Sequence, residues 1–310
     1  MKILVTGAAG YIGSVLVPEL LKQGHQIRAI DNFMYNQTSL LNCCFNKNLQ
    51  IVYGDCRDKE LIKEGIKDVD LIIPLACLTG APACSKDTIA ARTVNLDAVK
   101  MISELKGEGQ RIIFPTTNSG YGIGQKGRFC DENTPLRPVS LYGKLKVEAE
   151  EALIIKGNAI TLRLATVFGI SPRMRLDLLV NDFTYRAVTD SFIILFQAHF
   201  KRNYIHIRDV AKAFLHSIDH FEKMKNESYN VGLSDANLSK QELCEEIKKQ
   251  VKEFYFVEAE LGEDPDKRDY VVSNEKIEKT GYKPEFSLQD GISELIKGYQ
   301  IIKRNQFSNA

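Results

Sequence analysis

Short apolar runs alternate with longer amphipathic stretches over the first half of the chain. The runs are rich in β-branched and aliphatic residues and too short for helices, whereas the stretches between them have helical periodicity. We predict strands at Lys2–Thr6, Gln26–Asp31, Gln50–Tyr53, Leu71–Leu75, Arg111–Thr116 and Ala159–Leu164, and helices that include Ile12–Lys22, Lys59–Gly65, Thr88–Lys106 and Tyr142–Lys156. This alternation predicts an α/β fold with a doubly wound parallel sheet, whose strands are nearly all apolar because both faces are covered.

The second half of the chain departs from this alternation. Two stretches, about Phe168–Lys201 and about Ala236 to the C-terminus, break the rhythm, with a further strand predicted between them at Tyr204–Ile207. We expect the sheet domain to comprise residues 1–167 and about 204–232, and a smaller C-terminal substrate-binding lobe to comprise about 168–203 and 233–310. The lobe would cover the C-terminal edge of the sheet, where open α/β sheets bind ligands.

Composition and charge exclude several classes of partner. The chain has 310 residues, of which 44% are hydrophobic and 26% charged, and its formal net charge is +1. Lys and Arg are dispersed, so neither nucleic acid nor a membrane is expected as a partner. The first apolar run is only about five residues long, far shorter than a signal-peptide core or a membrane span. We therefore expect a cytoplasmic protein.

Cysteines and histidines give no sign of a metal site. The seven cysteines are an odd number without a CxxC pair, which is typical of free thiols in a reducing compartment. His216 and His220 have helical spacing, but the run HSIDH lacks the glutamate that follows the first histidine in a zinc protease motif. We predict no bound metal.

The run VTGAAGYIG follows the first predicted strand and opens the first predicted helix, which is typical of a dinucleotide site. Gly7 would allow the tight turn, Gly10 would let backbone N–H groups approach a pyrophosphate, and Gly13 would let helix and strand pack closely. The acidic residue expected about twenty positions on is Asp31, which would bind the adenosine ribose. Its carboxylate would repel a 2′-phosphate, so we predict NAD rather than NADP.

Tyr142 and Lys146 are four residues apart in the run SLYGKLKVEAE. Residues at this spacing lie on one face of a helix, so Lys146 can stand near whatever Tyr142 contacts. Positive charge favours a phenolate, and we expect it to lower the pKa of Tyr142 from about 10 towards a value useful for a general base. Chance also produces this spacing on exposed helices, so the surrounding motifs must decide between the two interpretations.

Nearly the whole chain resembles the extended short-chain dehydrogenase/reductase family, in particular its NAD-dependent nucleotide-sugar epimerases, dehydratases and 4-dehydrogenases. The resemblance is carried by TGAAGYIG, GDCRD, LACLTGAP, TVNLDA, TTNSGYG, PVSLYGKLKVEAE, RLATVFG and RNYIHIRDVAKAF. It implies a Rossmann fold, bound NAD, a nucleotide-diphosphate sugar as substrate and a homodimer. Superfamily members that only bind dinucleotides have generally lost the tyrosine and lysine, so an enzyme is expected here.

The resemblance also assigns roles to individual residues. It implies Tyr142 as the base, Lys146 as the residue that binds the nicotinamide ribose and lowers the tyrosine pKa, and Thr117 as the hydroxyl that hydrogen-bonds the reacting oxygen. The residues expected to bind the cofactor are Gly7, Gly10, Tyr11, Ile12, Gly13, Asp31, Asn32, Asp55, Cys56, Leu75, Ala76, Asn95, Tyr142 and Lys146. Asp55 has an alternative, since an aspartate in the GDCRD turn can also cap the next helix.

The residues after Thr117 bear on the reaction. Sugar 4,6-dehydratases of the family carry an acidic residue there, whereas this chain has Asn118 and Ser119, which cannot supply acid and base at neutral pH. We expect these two residues to contact the sugar. Oxidation at C4 remains, followed either by release of a 4-keto sugar or by return of the hydride, as in an epimerase.

The second half of the chain holds candidates for binding the substrate diphosphate. Arg202 and Arg268 match family arginines whose guanidinium groups suit phosphate oxygens, and Asn181 resembles a diphosphate-binding asparagine. Each could instead be a surface charge or a helix cap.

The stretches GISPRMRLDLLVNDFTYRA and PTTNSGYGIG look closest to bacterial enzymes that oxidise C4 of GDP-linked heptoses for surface polysaccharide. The resemblance therefore implies a GDP-heptose or GDP-hexose 4-dehydrogenase, with a 4-epimerase as the alternative. Pro74 departs from the pattern, because it replaces a histidine common in the family, and we expect it to alter the loop beside the nicotinamide phosphates.

Overall fold

A parallel sheet of seven strands forms the centre of the computed structural model, which describes residues 1–125, 127–259 and 268–302. The strands are β1 (Lys2–Thr6), β2 (Gln26–Asp31), β3 (Leu49–Tyr53), β4 (Leu71–Pro74), β5 (Arg111–Thr117), β6 (Ala159–Leu164), β7 (Thr166–Phe168), β8 (Phe192–Leu195), β9 (Lys201–His206), β10 (Glu227–Val231), β11 (Asn237–Ser239) and β12 (Tyr255–Glu258). The helices are α1 (Gly13–Lys22), α2 (Lys59–Gly65), α3 (Ala81–Lys86), α4 (Thr88–Arg92), α5 (Ala98–Leu105), α6 (Leu141–Lys156), α7 (Leu179–Thr189), α8 (Ile207–Asp219), α9 (Phe221–Met224), α10 (Lys240–Gln250), α11 (Glu275–Glu278) and α12 (Leu288–Gly298).

The large sheet has the order β10-β6-β5-β4-β1-β2-β3, and every neighbouring pair is parallel. This confirms the predicted doubly wound α/β fold. The chain winds outwards in both directions from β1, which pairs with β2 on one side and β4 on the other. In such sheets the crevice at the carboxyl ends of the two central strands is the usual ligand site.

The prediction that all strands are covered on both faces is wrong for β3. This strand lies at the edge of the sheet, and Ile51 and Tyr53 are 41% and 77% exposed. Tyr53 stacks instead on Phe33, with ring centroids 6.1 Å apart. An apolar run in the sequence indicates a strand. Whether that strand is central or at the edge depends on the order of strands in the sheet, which a single run does not reveal.

The predicted helix Thr88–Lys106 is interrupted. A π-helical turn, Thr93–Asp97, separates α4 from α5. It includes Asn95, which is 1% exposed. Asn95 accepts a hydrogen bond from Leu78 N–H and donates one to Leu78 C=O, both at 2.8 Å. Through these two hydrogen bonds the π-helical turn holds the loop that follows β4 in place. Single π-helical turns are often found at functional sites.

The second half of the chain adds two small sheets. The predicted strand Tyr204–Ile207 is β9, which belongs to a three-stranded sheet with β7 and β11, while β8 pairs with β12. Helix α7 packs against α10 and α12, and α8 packs against α1. The proposed domain boundaries stay a prediction, and 260–267 and 303–310 of the predicted lobe lie outside the described residues.

Two general expectations can be compared with the described part of the chain. All seven cysteines are free, and Cys44 is exposed while the others are buried or half-buried. Within residues 1–125, 127–259 and 268–302, no helix has the length and apolar character needed to cross a membrane.

Candidate active site

A pocket of about 360 Å³ opens at the carboxyl ends of the central strands. Of the predicted site residues, those that line it are Gly7, Gly10, Tyr11, Ile12, Gly13, Asp31, Asn32, Asp55, Cys56, Leu75, Ala76, Thr117, Ser119, Tyr142, Lys146 and Arg268. Four others are not among the lining residues: Asn95, Asn118, Asn181 and Arg202. Residues from opposite ends of the sequence thus meet around one cavity.

The glycine loop turns tightly between β1 and α1. Gly7 has φ +66°, and its N–H donates to Ile30 C=O at 2.8 Å. A Cβ on Gly7 would lie 2.5 Å from Ala76 N, and one on Gly13 would lie 2.3 Å from Ala8 C=O oxygen. Both positions therefore need glycine for packing. Gly10 has more room, because its nearest neighbour would be Gly7 oxygen at 3.1 Å.

Asp31 lies at the end of β2 and is 8% exposed. Its Oδ2 accepts a hydrogen bond from Ala9 N–H at 2.9 Å, and its Oδ1 accepts from Phe33 N–H at 2.8 Å and from Gln37 Nε2 at 3.2 Å. Burial raises the pKa of the Asp31 carboxyl, and these hydrogen bonds oppose the rise. The carboxylate both braces the glycine loop and forms part of the pocket wall.

Asp55 forms a paired contact with Arg57 at the same end of the pocket. Nε and Nη2 of Arg57 donate to the two carboxylate oxygens at 2.9 and 2.7 Å. This hydrogen bonding lowers the pKa of Asp55 to about 2. The alternative that Asp55 caps the next helix is wrong, because α2 is capped by Asp58, whose Oδ1 accepts from the N–H groups of Glu60 and Leu61.

Helix α6 brings Tyr142 and Lys146 to the pocket wall one turn apart. The effect of Lys146 on the pKa of Tyr142 stays a prediction, and the protein's own groups shift this pKa upwards. Burial raises the pKa of Tyr142 well above its ordinary value, and Arg175 and Arg268 are the cations that oppose the rise. Burial also lowers the pKa of Lys146 to about 8, and its Nζ lies 3.7 Å from the centroid of the Phe114 ring. The effect of burial on the pKa of Tyr142 is thus larger than that of the nearby positive charges.

Thr117, at the end of β5, joins a short chain of polar contacts. Its hydroxyl donates to Ser119 Oγ at 2.9 Å and accepts from Ser119 N–H at 3.1 Å. Arg268 Nη1 also donates to Ser119 Oγ. Hence Thr117, Ser119 and Arg268 form one polar group on the pocket wall. Asn118 is 1% exposed beside it, and neither of its amide atoms has a hydrogen-bond partner among the described residues.

Asn181, near the start of α7, is fully buried. Its Oδ1 accepts from Gly169 N–H at 3.0 Å, and its Nδ2 donates to the Tyr11 hydroxyl at 3.1 Å and to Arg175 C=O at 2.9 Å. The Tyr11 hydroxyl donates in turn to Gly169 C=O at 2.7 Å. The structure therefore places Asn181 where it joins the segment after β7 to the glycine loop.

Arg202, in β9, is 3% exposed and so is not a surface charge. Its Nη1 donates to Lys201 C=O at 2.9 Å, and its guanidinium lies 5.6 Å from the centroid of the Tyr270 ring. Tyr270 lines the pocket, so Arg202 stands behind that wall.

Sequence reasoning missed several residues of the pocket wall. Arg175 and Thr79 meet there, with Arg175 Nη1 2.6 Å from Thr79 Oγ1. Arg173 lies 4.4 Å from the centroid of the Tyr35 ring, and both of these residues also line the pocket. The two arginines follow β7 closely in the run SPRMR, and a charged run after a strand end was the signal available for them.

The described residues fit a dinucleotide. The positive-φ turn at Gly7 brings the loop backbone against Ala76. Backbone N–H groups at the start of a helix suit a pyrophosphate. Asp31 ends β2 and Asp55 follows β3, on the side of the pocket where the adenosine of a dinucleotide would bind. Tyr142 and Lys146 line the same cavity from α6.

Comparison with known proteins agrees with this geometry. The model of the NAD-dependent epimerase/dehydratase family matches residues 3–232. The chain is 27% identical to the low-salt glycan biosynthesis protein Agl12 of Haloferax volcanii, over 96% of this chain and 98% of that protein. It is also 27% identical to a putative UDP-glucose 4-epimerase of Methanocaldococcus jannaschii, over 95% and 97% of the two chains. The structure of a Bacillus cereus UDP-glucuronic acid 4-epimerase with UDP-glucuronic acid and NAD superposes with TM-score 0.86 at 23% identity, covering 97% of this chain and 99% of the other.

Proposed function

The chain belongs to the NAD-dependent epimerase/dehydratase family, and from this premise we propose that it oxidises the C4 hydroxyl of a nucleotide-diphosphate sugar. The observation that carries the proposal is the meeting of Tyr142, Lys146 and Thr117 with the glycine loop around one pocket. A base, a hydroxyl and a dinucleotide cradle in one cavity are the parts that alcohol oxidation requires.

Each side chain has a defined task in this reaction. Tyr142 removes the proton of the C4 hydroxyl, and the Thr117 hydroxyl turns its proton from Ser119 Oγ to the same oxygen as that oxygen becomes a carbonyl. Burial lowers the pKa of Lys146 to about 8, so this residue of the pocket wall adds positive charge when the pH is below that value. NAD, when bound, supplies the hydride acceptor, and the glycine loop with Asp31 and Asp55 would hold it.

Dehydration receives less support from the pocket. Among the described residues that line it, only Asp31 and Asp55 carry carboxylates, and both follow the strands at the nucleotide end. Position 118 is an asparagine and position 119 a serine, which cannot act as the acid and base for loss of water.

We propose further that the sugar is a GDP-linked heptose or hexose, that the product is a released 4-keto sugar, and that the pathway makes surface polysaccharide. The resemblance of GISPRMRLDLLVNDFTYRA to such 4-dehydrogenases supports this, as does similarity to a protein of glycan biosynthesis. The alternative is a 4-epimerase, which the similarity to a putative UDP-glucose 4-epimerase favours. A homodimer in the cytoplasm, as the family resemblance implies, stays a prediction.

A panel of GDP-, UDP-, CDP- and dTDP-sugars separates these reactions. The purified protein is incubated with each and with NAD, while nicotinamide absorbance and product mass are followed. A product lighter by two hydrogens identifies a dehydrogenase, an unchanged mass with a new sugar identifies an epimerase, and loss of water would support a dehydratase. If the panel yields no change in any sugar, the proposed reaction is wrong for these substrate classes.

Tyr142→Phe tests the base. We expect C4 oxidation to fall by about 10²-fold or more, because a general base is lost, while NAD binding is retained. The matched control is Tyr255→Phe on the exposed face of β12, which should leave the rate unchanged. Unchanged turnover in Tyr142→Phe, with the substrate found by the panel, would contradict the assignment of the base.

A further inference from the structure

Arg175 is held at the pocket wall from two sides. Its Nη1 donates to Thr79 Oγ1 at 2.6 Å, which links the segment between β7 and α7 to the loop after β4. Its Nε donates to Asp177 Oδ1 at 3.0 Å, and its Nη2 contacts the other oxygen of the same carboxylate. The Arg175 side chain is 13% exposed. Few other orientations are open to a guanidinium that is fastened in this way.

The loop that receives Arg175 is itself fixed. Asn95 bonds both backbone groups of Leu78, the residue before Thr79. On the other side, Asn181 donates to Arg175 C=O at 2.9 Å. The backbone on each side of the Arg175–Thr79 contact is therefore hydrogen-bonded to a buried asparagine. These bonds fix the position of the guanidinium in the cavity that it shares with Tyr142.

Charged and titratable groups reach Tyr142 from several elements. They are Cys77 from the loop after β4, Cys84 from α3, Arg175 from the segment before α7, and Arg268, while Lys146 lies one turn further along the helix of Tyr142 and Asp177 pairs with Arg175. Negative charge on either thiol would oppose ionisation of the phenol, and the two arginines favour it. Arg175 is the stronger of the two arginines in this effect.

Lys146 and Arg175 differ in how firmly they keep their charge. Burial lowers the pKa of Lys146 to about 8, so this lysine loses its charge in mildly alkaline solution. Burial also works against the charge of Arg175, but the hydrogen bonds and charge of Asp177 outweigh it and raise the pKa of the guanidinium. Arg175 therefore remains charged throughout the range in which an alcohol dehydrogenase works.

We propose that Arg175 is a positioning residue whose fixed guanidinium stabilises the phenolate of Tyr142 in their shared pocket. A charge that is already in place need not reorganise when negative charge develops on the phenol. The role rests on the proposed function, because it concerns the base of the C4 oxidation. Under this proposal, the charge on Tyr142 is stabilised by a residue that lies outside the helix of Tyr142 and Lys146.

The first test is the pH profile of kcat with a sugar nucleotide that the wild-type protein oxidises. The value of kcat should rise with pH as the base ionises. In Arg175→Met the midpoint of this rise should move to higher pH by about one unit or more, because a positive charge that favours the phenolate is removed. Arg175→Lys keeps the positive charge but loses the paired N–H donors of the guanidinium. Its midpoint should lie between those of the wild type and Arg175→Met. Arg186→Met is the control, because Arg186 pairs with Asp182 on α7 and is not among the pocket-lining residues.

The second test needs no substrate. Ultraviolet difference titration of each protein against its own Tyr142→Phe counterpart, with NAD present, follows the phenolate directly. We expect the same upward shift in Arg175→Met, with Arg175→Lys again intermediate. An unmoved midpoint in Arg175→Met would overturn the role of Arg175, whatever the midpoint of the wild-type protein. A shift in a protein that oxidises no sugar nucleotide would support Arg175 while refuting the proposed function.

Discussion

At the scale of single residues, Asp31 combines two tasks in one carboxylate. Its oxygens hold the N–H groups of Ala9 and Phe33, so the glycine loop and the loop after β2 both depend on it. The same group lines the pocket at the nucleotide end. Negative charge there would repel the 2′-phosphate of NADP, which makes Asp31 the residue expected to select the cofactor.

Asp31→Ala should therefore relax the preference for NAD. We expect the ratio of kcat/KM for NAD to that for NADP to fall by about tenfold or more, because a like-charge contact near a partly buried site is removed. Gln37→Ala is the matched control, since it removes a hydrogen bond to Asp31 without changing the charge. An unchanged ratio would mean that another residue selects the ribose.

Tyr142 and Arg175 show what the sequence could and could not predict about the site. Tyr142 and Lys146 are brought together by helical spacing, which is local and can be recognised in a single run. Arg175 reaches Thr79 across 96 residues of sequence, and no local pattern contains that contact. The sign of the pKa shift of Tyr142 depends on burial, which is a property of the folded chain.

At the scale of elements, the short apolar runs predicted the strands well because β-branched runs bounded by turns are specific. The predicted Lys2–Thr6, Gln26–Asp31 and Ala159–Leu164 are strands with the same bounds in the structure. The π-helical turn at Thr93–Asp97 was not predictable, since five residues are too few for the periodicities of an α-helix and a π-helix to be told apart. Edge exposure of β3 likewise follows from pairing between distant strands.

The glycine loop gives a prediction for an element. Gly13→Ala should reduce both stability and NAD binding, because its Cβ would lie 2.3 Å from Ala8 oxygen. Gly10→Ala should cost less stability than Gly13→Ala, since the nearest atom to its Cβ would be 3.1 Å away, yet it should weaken NAD binding where the backbone approaches the pyrophosphate. Thermal unfolding and calorimetric NAD titration measure the two effects separately. Equal affinity of Gly10→Ala and wild type would contradict the role predicted for Gly10.

At the scale of the whole molecule, α12 connects the end of the chain to the segments that shape the pocket. Glu294 on α12 has Oε2 2.8 Å from His206 Nε2, and it accepts from Arg208 Nη2 at 2.8 Å and from Ile170 N–H at 3.2 Å. Tyr299 donates to Asn181 C=O at 2.8 Å. The C-terminal helix thus reaches β9, α8 and the segment that carries Arg175.

Glu294→Gln tests how much this connection stabilises the fold. Burial alone would raise the pKa of Glu294, but hydrogen bonds from His206, Arg208 and Ile170 lower it to about 2. Because the folded pKa lies below the ordinary value of about 4.5, the ionised carboxylate stabilises the protein above pH 4.5, and this contribution is lost as the pH falls towards 2.

We expect Glu294→Gln to lower the free energy of unfolding by about 1–3 kcal/mol at pH 7, with the difference from wild type shrinking between pH 4.5 and 3. Urea unfolding at pH 7, 4.5 and 3 measures it. Glu285→Gln is the control, because Glu285 is 65% exposed and its pairing with Lys212 should contribute little. A difference that stays constant down to pH 3 would show that packing of α12, and not the charge of Glu294, joins this helix to the rest of the molecule.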